Sequence, residues 1–202
     1  MTLKLRFAPT SPFVRKAMVL AHETGQADTL ELVPTDVWSA GTDIQADNPL
    51  GKVPALVTPD GTLCDSPLVC EYLDSLHDGR RLIPDSGPAR WRVLRIAALG
   101  DGVLDAAVGT VIETLRRPPE KVWQGNVERQ AGKIAAALDA LEAEAAAFEE
   151  PFDLGQITVA CALGYLDFRL PDIDWRAGRP TLAAWYETTA KRPSMTATEP
   201  RA

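Results

Sequence analysis

The stretch "TSPFVRKA", Thr10 to Ala17, places a hydroxyl at the start of a helical pattern. Ser11 stands where helix N-caps stand, because a serine oxygen accepts a free backbone N–H of the first turn. Pro12 then falls at the first helical position, where its missing N–H costs nothing. A helix start also gathers free N–H groups and the positive end of the helix dipole, so it suits an anion such as a thiolate. Ser11 therefore reads either as a plain cap or as a cap that also serves chemistry. A second Ser-Pro pair, Ser66 and Pro67, opens another helical pattern. Asp101 and Asp105 are four apart and share a helix face, where such residues serve a ligand or partner, or are solvated or paired with arginine. Cys64, Cys70 and Cys161 form no CxxC pair and no even framework. With only His22 and His77, no histidine-based metal site is expected.

Composition narrows the classes. The chain has 202 residues, 46% hydrophobic and 24% charged, as in an ordinary globular protein of one large or two small domains. The net charge of -7 argues against nucleic acid or an anionic membrane as the main partner. No apolar run approaches the length of a membrane span. "MTLKLRFAPT" lacks the apolar centre of a signal peptide, and unpaired cysteines fit a reducing cytoplasm.

The elements that must position these groups divide into two kinds. "LKLRF" and "TLELV" alternate as strands, with a helix from Pro12 to about Thr24, stopped by Gly25, between them. A polar, turn-rich stretch follows, with room for one short helix. "VPALVTPDGTLC" reads as a hairpin turning at "PDG", and "SPLVCEYLDSL" as a helix with Leu68, Tyr72 and Leu76 on one face. The expected order is β-α-β-α-β-β-α, with parallel pairing from the strand–helix–strand units and an antiparallel edge from the hairpin. The expected boundaries are 1–78 for this α/β domain, 79–87 for a linker and 88–202 for an all-helical bundle. The bundle opens with one long helix from Ala89, weakened at Gly100 and Gly102 and ended by Pro118-Pro119. Val127, Ala131, Ile134, Leu138, Leu141, Ala145 and Phe148 form the next apolar face. "ITVACALGYLDF" is apolar nearly all round and is expected at the centre. Asp153 and Gln156 have capping-box spacing before it, with Phe152 and Ile157 at the staple positions.

The segment "NPLGKVPALVTPDGTLCDSPLVCEYLD" resembles the cytosolic glutathione S-transferase family, through Val53-Pro54 before a strand and Asp65-Ser66 before the next helix. The opening "SPFVRK", the helical second half and the ending "KRPSMTATEP" extend the resemblance over the chain, toward bacterial members with serine at the start. The resemblance implies a thioredoxin-like N-terminal domain and an all-α C-terminal domain. It also implies a cis bond before Pro54, which presents the Val53 backbone to the cysteinyl unit of glutathione like an added strand. Asp65 and Ser66 would hold the γ-glutamyl end, Asp65 at the ammonium and Ser66, as helix cap, at the carboxylate. Lys52, with Trp38 and Thr35, lies where the family holds the glycine carboxylate, or is solvated.

By the same resemblance Ser11 is the catalytic hydroxyl, with Thr10, one residue earlier, as the alternative. It would donate to the sulfur of glutathione, and the thiolate would attack a small, hydrophobic electrophile. Glutathione is then a co-substrate; no cofactor and no metal are expected. Position 11 is not cysteine, which argues against thiol-transferase chemistry. Tyr72, Tyr165 and Tyr186 fall inside helices as core candidates, and Arg15 as half of a structural ion pair. A homodimer is implied, with no nucleic acid or membrane partner. Two other outcomes stay open: a glutathione-dependent peroxidase, and a binding or regulatory relative without turnover. The retained set Ser11, Val53, Pro54, Asp65 and Ser66 favours the transferase.

Overall fold

Alternation of apolar residues in Leu3–Phe7 and Leu30–Pro34 makes strands β1 and β2 of a sheet in the computed structural model, which describes residues 3–148 and 150–201. The hairpin adds β3 (Ala55–Thr58) and β4 (Gly61–Cys64). The strand order is β2-β1-β3-β4. Only β1 and β2 run parallel; β3 enters antiparallel to β1, because the chain crosses back before the hairpin. Helix α1 (Pro12–Glu23) joins β1 to β2 and stops at Gly25. The φ of 70° at Gly25 lets its N–H reach the His22 carbonyl while Gln26 N–H reaches that of Ala21. The helix expected between β2 and β3 is a single 3₁₀ turn, Ile44–Ala46.

Helix α2 (Ser66–Ser75) differs from expectation in two ways. Its buried face is Val69, Cys70 and Leu73, while Leu68 and Leu76 are each 48% exposed and Tyr72 is half-buried. Both stripes satisfy helical spacing, and the sheet takes the one with the smaller side chains. The N-cap is Asp65, not Ser66: the Asp65 carboxylate accepts the Ser66 N–H at 2.8 Å, which makes Ser66 the first helical residue.

The chain divides into two units, Met1–Ile83 with Pro193–Ala202, and Pro84–Arg192. The final segment thus groups with the sheet, not with the helical part to which 88–202 assigned it. Its short helix α7 (Pro193–Ala197) lies on α1, where the Arg15 guanidinium donates to the Met195 carbonyl at 3.1 Å and Ser194 Oγ meets Glu23. Arg15 therefore faces a backbone carbonyl, not the carboxylate expected for it. The linker region is tied down as well: the buried Asp74 carboxylate accepts from Leu82 and Ile83 N–H and pairs with His77.

The second unit is helical throughout the described residues. Helix α3 (Gly87–Val111) continues as a π-helical turn to Arg116, and α4 (Gln124–Ala145), α5 (Leu154–Arg169) and α6 (Pro180–Thr189) follow. Helix α5 is buried from Leu154 to Leu166, as its all-round apolar pattern requires. Asp153 caps it by accepting the Gln156 N–H at 3.0 Å, and Phe152 and Ile157 are buried at the staple positions. Burial pushes the Asp153 carboxyl up, against the pull of Gln156 and of Arg92, whose guanidinium lies 3.0 Å away. The face of α4 is buried at Ile134, Leu138, Leu141 and Ala145, but Val127 is half-buried and Ala131 exposed. Gly100 is a contact rather than a weakness: a Cβ there would lie 2.9 Å from Thr158 Cγ2 and 3.1 Å from the Val159 nitrogen.

Candidate functional site

One row of the sheet gathers the residues picked out by sequence. Arg6, Ala55 and Cys64 are paired in register across β1, β3 and β4, and Arg6 pairs with Val33 of β2 on the other side. The chain leaves this row toward Ser11 after β1, toward Thr35 after β2 and toward Asp65-Ser66 after β4, and it enters β3 here from Val53-Pro54. Ligands of open α/β sheets bind at such strand ends, where connections diverge. Helices α1 and α2 both begin here, so two positive helix ends adjoin the same edge.

Ser11 is the N-cap of α1, and its Oγ accepts the Val14 N–H at 3.3 Å. Accepting a bond uses a lone pair and leaves the hydroxyl proton for a further acceptor. Thr10 is half-buried in the preceding turn. The Val53-Pro54 bond is cis. Pro54 is buried and Val53 half-buried, and neither the N–H nor the C=O of Val53 has a backbone partner among the described residues. A half-buried strand end with both groups unpaired is an edge ready for one more strand.

Asn48, which sequence reasoning missed, shapes the approach to Val53. Its side chain is buried; Nδ2 donates to the Lys52 carbonyl at 2.7 Å and Oδ1 accepts the Leu50 N–H at 3.0 Å. Arg6 anchors the same loop, with guanidinium nitrogens 2.7 Å from both Asp43 and Asp47. The Asn-Pro pair was visible as a turn signal, but its long-range anchor on β1 was not. Lys52 itself is exposed, Trp38 is exposed, and the buried Thr35 hydroxyl donates to the Val33 carbonyl at 2.9 Å. These three stand at the same end of the sheet, after β2 and before β3.

Asp65 has φ 80° and ψ 133°, a backbone state that side chains rarely adopt. Such a residue stores about 1–3 kcal/mol and marks a functional constraint when nothing in packing demands it. Next to it, Ser66 is 1% exposed and its Oγ has no hydrogen-bond partner. An orphaned buried hydroxyl awaits a ligand or water. Cys64 is half-buried in the same row; burial first, then the carboxylates of Asp47 and Asp65, push its thiol up. It stays protonated at neutral pH and is a poor nucleophile. Among the described residues no group of His, Cys, Asp and Glu could hold a metal ion.

The strain at Asp65 makes a stability prediction. Asp65→Gly is expected to be more stable than Asp65→Ala by about 1 kcal/mol, because glycine adopts positive φ without a Cβ penalty. Urea unfolding midpoints of the two variants check this, and equal midpoints would remove the strain argument.

A small mixed sheet with a ligand edge, followed by a helical unit, is the two-part architecture of glutathione transferases. Residues 10–76 match the family described as "Glutathione S-transferase, N-terminal domain", and residues 124–188 match "Glutathione S-transferase, C-terminal domain". The chain is 36% identical to "Uncharacterized GST-like protein YibF" of Escherichia coli K12, over 98% of each chain. It superposes with a TM-score of 0.93 and 48% identity, over 100% of both chains, on a glutathione transferase family member from Pseudomonas fluorescens Pf-5 with bound glutathione. A glutathione S-transferase from Methylobacillus flagellatus KT, also with glutathione bound, gives a TM-score of 0.91 and 36% identity over 99% of this chain and 100% of that one. The chain belongs to the glutathione S-transferase family. No described helix is long and apolar enough to cross a membrane.

Proposed function

We propose that the chain is a serine-type glutathione transferase that activates the glutathione thiol for attack on a small, hydrophobic electrophile. The observation that carries this reading is the single sheet edge where the Ser11 hydroxyl, the unpaired Val53 peptide and the orphaned Ser66 hydroxyl emerge. The cysteinyl backbone of glutathione pairs with Val53 N–H and C=O as an added strand. Its γ-glutamyl carboxylate takes the Ser66 hydroxyl at the α2 N-terminus, and its ammonium takes the exposed Asp65 carboxylate. Lys52, at the same end of the sheet as Thr35 and Trp38, is the cation for the glycine carboxylate. Ser11 donates its free proton to the sulfur, which favours the thiolate over the thiol. The thiolate forms the new C–S bond, and the leaving group departs with the bonding electrons. Relatives with bound glutathione support this reading for the first substrate. Turnover of glutathione with aryl halides, hydroperoxides and disulfides tests it: conjugation with the halides is expected, and binding without turnover on any of them would overturn it.

The assembly we infer is a symmetric homodimer in the cytoplasm, the two-fold arrangement being the commonest for such interfaces. The exposed Leu68 and Leu76 of α2, with the half-buried Tyr72 between them, support it as an apolar surface suited to burial against a second copy. Leu68→Glu with Leu76→Glu is expected to sediment as a species near 21.9 kDa, and wild type as one twice as heavy. A wild-type monomer at micromolar concentration would sink the dimer.

A further inference from the structure

The Val53 N–H does not turn by itself. It shares a planar, trans peptide with the Lys52 carbonyl, so the direction of one fixes the direction of the other. The Lys52 carbonyl is held, because Asn48 Nδ2 donates to it at 2.7 Å. On the other side of the same amide, Asn48 Oδ1 accepts the Leu50 N–H at 3.0 Å. A carbonyl needs a donor and an N–H needs an acceptor, so these two bonds fix which end of the Asn48 amide is which.

Asn48 is itself held at its backbone. It is 1% exposed, its N–H donates to the Ile44 carbonyl at 2.7 Å, and its carbonyl accepts the Gly51 N–H at 2.8 Å. Gly51, at φ 66°, takes the left-handed state that brings the chain round to Lys52. Ile44 is wholly buried, and Arg6 ties Asp43 and Asp47, before and after it, to β1. An Asx turn needs only the bond from Oδ1 to the N–H two residues on. The Nδ2 bond is surplus to the turn. It acts on a peptide whose N–H has no backbone partner among the described residues. Aspartate lacks this donor, serine is shorter, and glutamine is one methylene longer.

We propose that Asn48 is a positioning residue for glutathione: through the Lys52–Val53 peptide it aims the Val53 N–H at the cysteinyl carbonyl, and it sets affinity without touching the ligand. The proposal rests on the glutathione reading above. A donor already held in its bound direction has no orientational freedom left to lose on binding. A carbonyl that accepts a hydrogen bond also polarises its own peptide and makes the N–H a better donor. Neither effect reaches the sulfur, so Asn48 acts on binding and leaves the thiolate to Ser11.

The test is calorimetry of wild type, Asn48→Ala and Asn48→Asp with two ligands. One is S-methylglutathione, which has no free thiol, and the other is the same molecule with a thioamide sulfur, a weaker acceptor, in place of the cysteinyl carbonyl oxygen. The Ala variant is expected to bind S-methylglutathione about three- to tenfold more weakly, as for one neutral hydrogen bond. Wild type is expected to lose affinity for the thioamide, and the Ala variant to lose less, because the carbonyl and the aimed N–H act as a pair. In turnover the KM for glutathione is expected to rise, with kcat at saturating glutathione and the pH profile unmoved. A purely structural role would lower the melting temperature and leave the thioamide penalty as in wild type, and that result overturns the proposal. A fall in kcat with KM unmoved also overturns it. If the Ala variant does not fold, the Asp variant decides, since it keeps the acceptor for the Leu50 N–H and drops the donor: a thioamide penalty equal to that of wild type overturns the proposal, and a smaller one supports it. Wild type that does not bind S-methylglutathione, or binds both ligands equally, overturns the added-strand reading beneath as well.

Discussion

The Ser11→Ala protein is expected to conjugate glutathione about 10- to 100-fold more slowly than wild type, with its pH–rate profile moved to higher pH. The magnitude follows from the loss of one hydrogen bond to a charged group, worth about 1.5–3 kcal/mol, at tenfold per 1.36 kcal/mol. The direction follows from chemistry: without a donor the sulfur holds its proton to higher pH. The same substitution removes the acceptor for Val14 N–H and so costs about 0.5–2 kcal/mol of stability. Ser11→Asp separates the two roles, since aspartate is a good cap but carries negative charge to where the thiolate belongs. Its stability should match wild type while its activity and its affinity for glutathione both fall. An alanine variant with wild-type turnover and an unmoved profile would transfer the role to Thr10.

Gly155→Ala is expected to destabilise the helical unit by about 1–3 kcal/mol, the usual range for forcing a methyl into a filled interior. The added Cβ would stand 2.9 Å from the Val93 carbonyl oxygen, 3.0 Å from Ile96 Cβ and 3.1 Å from Asp153 Oδ1. Two of these neighbours belong to α3, so the helices must separate or tilt. The third belongs to the cap of α5, which loses its aim at Gln156 N–H. Helix propensity points the other way, since alanine is worth about 1 kcal/mol more than glycine within a helix. The sign of the result is therefore decisive. A higher urea midpoint for the alanine variant would show that α3 and α5 yield easily at this crossing.

Local grammar carried the first half of the chain well. Alternation located β1 and β2, the Ser-Pro pair located the start of α1, and Gly25 located its stop. It erred where two local solutions compete. The stripes Leu68–Leu76 and Val69–Leu73 are equally helical, and only the position of the sheet chooses between them. Ser66 looked like the cap because serine before proline is a strong start signal, but Asp65 accepts the N–H instead. Gly100 looked like a flaw because a single sequence does not name its partner across the helix pair. The edge of the site was visible in Val53-Pro54 and Asp65-Ser66. Its scaffold was not: Arg6 reaches Asp43 and Asp47, and Arg15 reaches Met195, 180 residues away.

The grouping of Pro193–Ala202 with the sheet makes the first unit discontinuous, with the helical unit inserted into it. During synthesis the helices of residues 84–192 are complete before the ribosome releases the segment that docks on α1. Domains fold as units as they emerge. The helical half can therefore settle first, while α1, with Ser11 at its tip and Arg15 one turn on, waits for Met195. The unit that carries the sheet is therefore closed only by a segment made after the helices, and α1 gains its contact with Met195 at the end of that order.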